Sequence, residues 1–216
     1  MKVSIAIGGA ASGRQRDFEA QVEFVVEAEK LGVDTVWTAE AWGHDAISPL
    51  AFVAARTNRI RLGTGIMQIS ARTPSMTAMT AMTMAAISGD RFILGLGVSG
   101  PQVVEGLQGR PFAGPLTRLK ETIEIVRMAF AGEKIEYHGK YHDLPRPGGK
   151  ARRCVLLNQP IRISRFTWQP WVPHLWNTPA RRPMAGWVRH SPLNTPMRIW
   201  HSSVPARRAL GAAWRM

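Results

Sequence analysis

The segment IRLGTGIMQISARTPSMTAMTAMTMAAISGDRFILGLGV (Ile60–Val98) decides the fold, because it contains a strand, a helix and the next strand in succession. Two short apolar runs, Ile60–Met67 and Arg91–Val98, flank a longer uncharged run at Thr73–Ser88 that predicts a helix, with Pro74 suited to its first turn. Both short runs are apolar on both faces, which is typical of parallel strands covered by helices. The segment therefore predicts a βα unit followed by the strand of the next unit.

The same alternation extends over residues 1–149. The four predicted strands begin at residues 3, 34, 60 and 91, a spacing typical of successive βα units. A doubly wound sheet and a (β/α)₈ barrel (TIM barrel) both fit this α/β pattern, and four units make only the N-terminal half of a barrel, since a complete one needs about 250 residues. The remaining predicted elements are strands at Val3–Gly8 and Asp34–Glu40 and helices at Phe18–Leu31, Ser48–Ala55 and Leu116–Gly132.

Residues 150–216 differ in composition from the rest of the chain. The protein has 216 residues and a net charge of +13, yet residues 1–149 carry 16 Lys+Arg against 15 Asp+Glu. Residues 150–216 carry 12 Lys+Arg, eleven of them Arg, no acid, six of the eight Trp and eight of the fifteen Pro. We therefore predict an α/β domain at residues 1–149 and an irregular, disordered basic tail at residues 150–216.

The compartment is predicted from cysteine content and from the N-terminus. Cys154 is the single cysteine, so no internal disulfide can form, which favours a reducing environment. Met1–Gly8 runs directly into a strand-like segment without the long apolar region of a signal peptide, and no run is long enough for a membrane span. We expect a cytoplasmic protein without a membrane span.

The glycine-rich motif GLGVSG (Gly95–Gly100) matches the dinucleotide-binding pattern G-x-G-x-x-G. It follows the fourth predicted strand instead of the first, Pro101 comes directly after it, and the acid about 20 residues further on, Glu121, lies inside a predicted helix. These features favour a glycine-rich strand end at which a ligand approaches the backbone.

Four polar residues are candidates for chemistry. Glu40 ends the second predicted strand, where a structural ion pair and a site role are equal alternatives. His44 follows near the end of that strand, where the site of an α/β protein lies. His138 and His142 flank a Gly-Lys-Tyr turn, and two His without a third ligand favour a surface hairpin over a metal site.

Met76, Met79 and Met82 recur every three residues in the helix predicted at Thr73–Ser88. Methionine at helical spacing is usually core filler, and we interpret all three in this way.

Two stretches carry a resemblance to a known family. GVDTVWTAEAWGHDAISPLAFVAARTNRIRLGTGIMQISARTP (Gly32–Pro74), followed by SGDRFILGLGVSGPQVVEG (Ser88–Gly106), resembles the luciferase-like monooxygenases, and within them the oxidoreductases that use the deazaflavin coenzyme F420. IEYHGKYHDLPRPGG (Ile135–Gly149) is similar to the hairpin of that family. The likeness covers residues 1 to about 149 and ends there.

The resemblance implies a (β/α)₈ barrel with F420, or alternatively FMN, across the strand ends, and hydride transfer to or from a small-molecule substrate. A homo-oligomer is a separate expectation. Glu40 and His44 become the catalytic candidates, although many relatives place Asp-His where this chain has Glu40-Ala41. The family often has a cis peptide at the position of Gly65–Ile66. The implied cofactor-binding residues are Gly8, Thr64, Gly65, Ile66, Gly97, Val98, Ser99 and Gly100.

The origin of the tail is the subject of a separate hypothesis. If the reading frame starts at the third base of each codon, the genetic code fixes five residues whichever synonymous codons are used: one Ala, one Glu and three Gly. For example, Trp168-Gln169 then encodes Ala and Trp176-Asn177 encodes Glu. That frame permits a family-like continuation across residues 162–195 that contains ADGW. We interpret the tail as an out-of-frame translation (a frameshift) that begins near Gly148–Lys150, and we expect the chain to have little or no activity.

The alternative is a protein that binds nucleic acid or an acidic surface through the Arg and Trp of the tail. Because the tail has no acid and no apolar periodicity, we expect any such binding to be salt-sensitive and blind to sequence, with no specific nucleic-acid partner.

Sequencing the gene around the Gly149 codon tests the frame hypothesis. We expect that restoring one base opens a long frame that encodes ADGW. If stop codons close that frame, the hypothesis is wrong, and a salt-resistant, sequence-selective nucleic-acid complex of the full chain would then support the alternative.

Overall fold

The computed structural model describes residues 2–8, 14–156 and 166–169. Strands and helices alternate along the chain. The strands are β1 (Ser4–Ala6), β2 (Thr35–Ala39), β3 (Arg61–Gln68), β4 (Phe92–Gly97), β5 (Tyr137–His138), β6 (Asp143–Leu144) and β7 (Phe166–Gln169). The helices are α1 (Gln15–Lys30), α2 (Ile47–Ala54), α3 (Pro74–Ser88), α4 (Pro101–Val104) and α5 (Pro115–Phe130).

The main sheet has five strands in the order β1-β2-β3-β4-β7, and every neighbouring pair is parallel. Each of the first four strands is followed by a helix, which confirms the four predicted βα units. The predicted hairpin is also present, because β5 pairs antiparallel with β6, and His138 lies opposite Asp143.

Strand β7 was not predicted. The sequence analysis expected irregular structure throughout residues 150–216, yet Phe166–Gln169 pairs with Leu94–Gly97 of β4. The prediction was wrong for these four residues because ladder hydrogen bonds come from the backbone, so an edge can accept a short β-prone segment from an otherwise irregular sequence. The other tail predictions concern residues 157–165 and 170–216, which lie outside the described residues.

The core lies between the sheet and its helices. Leu62 of β3 and Leu94 of β4 are fully buried beside Val25 of α1, Met82 of α3 and Ile125 of α5. Each such side chain contributes roughly 1.5–3 kcal/mol through its removal from water. The helices therefore cover one face of the sheet, which leaves its other face to a second layer or a ligand.

Helix α3 begins and ends where the sequence predicts. The Thr73 hydroxyl accepts a hydrogen bond from the Met76 N–H (3.2 Å), and Pro74 occupies the first turn. Gly89 ends the helix with φ 60°, a left-handed conformation that glycine adopts without a steric penalty. These caps place the amino end of α3 directly after β3, at the carboxyl edge of the sheet.

Two charged residues join the amino ends of β3 and β4 to the helices. The Glu29 carboxylate accepts backbone N–H bonds from Asn58 (3.1 Å), Arg59 (2.6 Å) and Ile60 (2.7 Å). The Arg91 guanidinium donates to four backbone carbonyls, which belong to Ala54, Thr57, Ile60 and Ser88. Burial alone would raise the pKa of Glu29, but these N–H donors and the charge of Arg91 hold it below its ordinary value.

Among the residues that the structure describes, no helix is long and apolar enough to span a membrane.

We expect Glu29→Gln to lower the free energy of unfolding at neutral pH by about 1–3 kcal/mol, because it removes the charged acceptor of three N–H groups. Since the folded-state pKa is lowered, this stabilisation is present above the unfolded-state pKa of about 4.3 and is lost as pH falls through the folded-state value. Urea denaturation at neutral and acidic pH should show the difference between wild type and variant shrink in acid.

Glu27→Gln is the matched control on the same helix. The Glu27 carboxylate pairs with Lys30 at 2.6 Å, but both side chains are about two-thirds exposed. We expect a loss below about 0.5 kcal/mol. Equal losses in the two variants would contradict the assigned role of Glu29.

Candidate functional site

A cleft of about 400 Å³ lies at the carboxyl ends of β3 and β4. Ile69–Ser70 after β3 and Val98 after β4 form its floor, and residues 110–115 pass along one side. Tyr141 and His142 of the β5–β6 hairpin complete the wall. Ligands of α/β proteins bind at this edge of the sheet, so the cleft is the candidate functional site.

The lining of the cleft is cationic. Arg72, Arg110 and Arg118 contribute guanidinium groups, and none of the lining residues is an acid. Arg118 lies over the Tyr141 ring at 4.1 Å and donates through Nε to the Ala113 carbonyl (3.0 Å), so its position is fixed. The cleft is therefore built to attract an anionic group.

One polar atom of the floor has no partner. The Ser70 hydroxyl oxygen is buried and makes no hydrogen bond within the part of the chain that the structure describes. Buried polar atoms are normally hydrogen-bonded, so an orphan at the base of a cationic cleft indicates a place for a ligand or water.

The Glu40 carboxylate is held by four donors beside the cleft. It accepts from both terminal nitrogens of Arg72 (2.8 and 2.6 Å), from the Gln68 N–H (2.8 Å) and from the Ala46 N–H (3.2 Å). Its side chain is 8% exposed. These contacts favour the ion-pair alternative, in which Glu40 organises the strand ends and positions Arg72, while a catalytic role for Glu40 stays a prediction.

His44 lies in a different environment from Glu40. Its ring packs edge-on against Phe18 of α1, with the centroids 4.9 Å apart. It lines a separate apolar depression with Ser48 and Phe52 of α2. The structure thus places the two catalytic candidates in different pockets, and proton transfer by His44 stays a prediction.

Thr64, Gly65 and Ile66 lie in an irregular part of β3. The pairing of β3 with β4 shifts register between Gly63 and Met67, and the buried Thr64 hydroxyl both donates to and accepts from Gly95, at 2.8 Å in each case. The cis peptide expected at Gly65–Ile66 was wrong, since the described residues contain one cis bond, Leu144–Pro145.

The strand end after β4 places Val98, one of the predicted residues Gly97–Gly100, in the lining of the cleft. Val98 is buried in its floor, Ser99 has φ 58°, and Gly100 precedes the four-residue helix α4. Gly8 follows β1 with φ 89° and donates its N–H to the Gln21 side chain (3.0 Å). Contact of these residues with a cofactor stays a prediction, although all lie at the carboxyl ends of strands.

The sheet face opposite the helices is lined by small residues. The Trp37 ring covers Gly63 so closely that a Cβ there would overlap it. Gly95 and Gly97 lie on β4 on the same face as Ile93, which pairs with Gly63. The buried Trp37 indole N–H has no acceptor in the described ranges. The indole N–H is therefore an unpaired donor on a sheet face whose glycine positions Gly63, Gly95 and Gly97 are buried.

The β5–β6 hairpin is clamped to α5 by one carboxylate. Buried Glu121 accepts the backbone N–H groups of Lys140 (2.8 Å), Tyr141 (3.0 Å) and His142 (2.9 Å), and it contacts the His142 ring nitrogen at 3.0 Å. Burial alone would raise the pKa of Glu121, but these hydrogen bonds keep it below its ordinary value. The clamp fixes Tyr141 and His142 in the cleft wall.

Two further contacts stabilise the same hairpin. His138 lies 2.7 Å from the Asp143 carboxylate on its surface. The Tyr137 hydroxyl donates to Glu124 at 2.5 Å, and burial together with this bond raises the pKa of Tyr137 to about 12. Both histidines thus contact carboxylates, and the described residues contain no group of three or more metal-binding side chains.

Residues 1–178 match the luciferase-like monooxygenase family. The chain belongs to this family. The match continues past Gly149, where the sequence analysis had ended the likeness, and it includes β7. The family assignment agrees with the parallel βα order and with the strand-end cleft, so the fold is of the TIM-barrel type, and the described residues form its first four βα units.

Three similar proteins define the likeness further. A Mycobacterium tuberculosis protein that carries the name of a coenzyme F420-dependent oxidoreductase is 54% identical over 147 residues, which cover 66% of this chain and 42% of that protein. An F420-dependent glucose-6-phosphate dehydrogenase of Amycolatopsis mediterranei is 30% identical and covers 65% and 46%. The structure of a coenzyme F420-dependent tetrahydromethanopterin reductase from Methanopyrus kandleri superimposes with a TM-score of 0.56 at 25% identity, covering 66% and 44%.

The chain thus spans less than half the length of these curated relatives.

Sequence analysis missed the three arginines of the cleft. Arg72, Arg110 and Arg118 lie in three separate segments, and no local spacing relates them. One signal was available, since Arg72 follows a predicted strand and Arg118 begins a predicted helix, which places both at the same edge of a parallel sheet.

We expect Glu121→Gln to release the hairpin, because the amide keeps only one acceptor oxygen, turns an NH₂ donor towards at least one of the three backbone N–H groups, and loses the negative charge. Hydrogen exchange measured by mass spectrometry should become at least about tenfold faster at residues 140–142. Glu124→Gln is the control, since an amide oxygen can still accept from Tyr137 and Glu124 does not contact those amides. Unchanged exchange in Glu121→Gln would show that the clamp does not hold the hairpin.

Proposed function

We propose that this protein is an F420-binding oxidoreductase module of the luciferase-like family, which places the deazaflavin across the carboxyl ends of β1–β4. The observation that carries the proposal is the cationic, acid-free cleft at those strand ends. The F420-dependent names of the relatives support the choice of cofactor.

The residues present fit this cofactor at two places. The free indole N–H of Trp37 suits a flat heterocycle that carries acceptor atoms. Arg110 and Arg118, with the orphan Ser70 hydroxyl, suit its phosphate-bearing tail, because guanidinium groups bind phosphate oxygens in pairs. When bound, F420 supplies hydride transfer at C5 of the deazaflavin.

In this proposal, the residues of the chain bind the cofactor and hold it in position. Glu40 neutralises Arg72 and fixes it between the end of β2 and the start of α3. Arg110 and Arg118 then remain as the net positive charge of the cleft. Gly97–Gly100 let a ligand approach the backbone after β4. Glu40 therefore acts as a positioning residue in our proposal, since its carboxylate already has four donors.

The substrate belongs to the class of small molecules that donate or accept a hydride. The relatives named above act on glucose 6-phosphate and on tetrahydromethanopterin, which differ in size and charge, so the likeness does not select one. FMN is the alternative cofactor. Because the described residues supply the strand ends of four βα units, we infer weak cofactor binding and little turnover.

Titration of the full-length protein with F420 and with FMN, followed by cofactor fluorescence, tests this function. We expect saturable F420 binding that is tighter than FMN binding. Arg110→Ala should weaken F420 binding about tenfold, because one charge-assisted phosphate contact is lost.

Arg56→Ala is the matched control, since Arg56 is an exposed arginine that follows the end of α2, at the edge of the sheet opposite the cleft. If neither cofactor binds, or if Arg56→Ala weakens binding as much as Arg110→Ala, the proposed function is wrong. Tight stoichiometric F420 binding with rapid turnover would contradict only the inference of weak activity.

A further inference from the structure

Apolar side chains reach the surface of the helices in two different settings. On the outer face of α3, Met76 and Met79 are 50% and 43% exposed, which corrects their interpretation as core filler, while Met82 is buried as expected. Between α1 and α2, in contrast, Phe18 and Phe52 line a common depression of about 310 Å³. We call this depression, which the His44 ring also lines, the α1–α2 pocket.

Three rings form the walls of the α1–α2 pocket. The Phe18 ring meets the His44 ring edge-on, with the centroids 4.9 Å apart, and Phe52 lies on the α2 side beside the buried Pro49. Aromatic rings attract a further ring in edge-on or offset geometry. Small-molecule pockets have volumes of about 300–1,000 Å³, so this one suits a ligand of one or two rings.

The charged group of the lining is already paired. Asp45 is the single carboxylate among the described residues that line the pocket, and its Oδ1 accepts the N–H groups of Ile47 and Ser48, at 2.8 Å in each case. Burial alone would raise the pKa of Asp45, but hydrogen bonds from Ser48 and Ile47 and the charge of Arg72 hold it below its ordinary value. The carboxylate therefore stays ionised and repels an anion that enters the pocket.

A cation is also a poor ligand for this pocket. The Arg56 guanidinium already lies over the Phe52 ring, 5.5 Å from its centroid. A second cation near Phe52 would meet this charge and would find the Asp45 carboxylate already engaged. The lining thus favours an uncharged molecule.

His44 supplies the hydrogen-bonding atoms that remain available in the walls. Its half-buried ring contacts Phe18, and its nitrogens make no hydrogen bond to any residue within the described part of the chain. A neutral imidazole carries one donor and one acceptor nitrogen, so it can bind a hydroxyl group in either sense.

The α1–α2 pocket is separate from the cationic cleft. The two share no lining residue among those that the structure describes. The Glu40 carboxylate joins them, because it pairs with Arg72 of the cleft and accepts the N–H of Ala46, which follows Asp45 of the pocket. A ligand in the pocket therefore leaves the arginines of the cleft free to bind an anionic group.

We propose that the α1–α2 pocket binds an uncharged aromatic molecule of one or two rings, which packs between Phe18 and Phe52 and hydrogen-bonds through a hydroxyl group to His44. The aromatic walls provide the apolar contact, and the single hydrogen bond orients the ligand. This binding site is additional to the proposed function, since it requires neither F420 nor the cleft.

Titration of the full-length protein with 2-naphthol, in the absence of F420, tests the proposal. Polarisation of the naphthol fluorescence, excited at wavelengths that tryptophan does not absorb, reports binding. We expect saturable binding to one site. In displacement measurements, 2-naphthoate and 2-naphthylmethylammonium, which have the same rings but carry a charge, should each bind at least about tenfold more weakly.

His44→Phe separates ligand recognition from a structural role. The variant keeps a ring against Phe18 but loses both ring nitrogens, so we expect it to weaken 2-naphthol binding about tenfold. Binding of naphthalene, which has no hydroxyl group and is measured by displacement, should change less than about twofold. His138→Phe is the matched control, since His138 is an exposed histidine on the hairpin that lines neither pocket, and it should affect neither ligand.

Gln15→Trp provides a second variant that leaves the walls intact. Gln15 is an exposed residue of the lining, so a bulky ring there should fill the pocket and weaken binding of both 2-naphthol and naphthalene at least about tenfold. The proposal is overturned if 2-naphthol does not bind saturably or if a charged analogue binds as tightly. It is also overturned if His44→Phe weakens both ligands equally or neither, or if Gln15→Trp leaves binding unchanged. Because no F420 is present, none of these outcomes depends on cofactor binding at the cleft.

Discussion

The Glu40 carboxylate holds together the edge of the sheet on which the site depends. It connects the end of β2 to the N–H of Gln68 at the end of β3, to Ala46 before α2 and to the guanidinium of Arg72 before α3. A buried carboxylate requires such donors, because an unpaired charge in this position would cost several kcal/mol. Two segments that are distant in sequence, residues 40–46 and 68–72, therefore share one fixed geometry.

This arrangement also determines the charge of the cleft. Arg72 is neutralised by Glu40, while Arg110 and Arg118 face a lining that contains no acid. Glu121 lies close behind the same wall, but its carboxylate already accepts hydrogen bonds from the hairpin backbone and contacts the His142 ring. The carboxylates around the cleft thus stabilise its walls, and the guanidinium groups of Arg110 and Arg118 remain available to bind a ligand.

Periodicity predicted the four βα units because strand and helix patterns are local. The start of α3 followed from Pro74, and the structure adds the caps at Thr73 and Gly89. The exposure of Met76 and Met79 could not be predicted, since an uncharged helix gives no signal for which face points inward. The cleft could not be predicted, because its arginines come from segments that are distant in sequence and meet only in the folded protein. The separation of Glu40 from His44 could not be predicted either, because it depends on the conformation of the loop between them.

The pairing of Phe166–Gln169 with β4 has a consequence for how such a chain can change during evolution. The hydrogen bonds of a parallel ladder join main-chain amides and carbonyls. Pairing with the edge of β4 therefore requires an extended backbone and depends little on the identity of the side chains. Aromatic and β-branched residues such as Phe166 and Thr167 meet that condition regardless of the sequence around them. Substitutions that keep Phe166–Gln169 extended should therefore preserve its pairing with β4, whichever side chains they introduce.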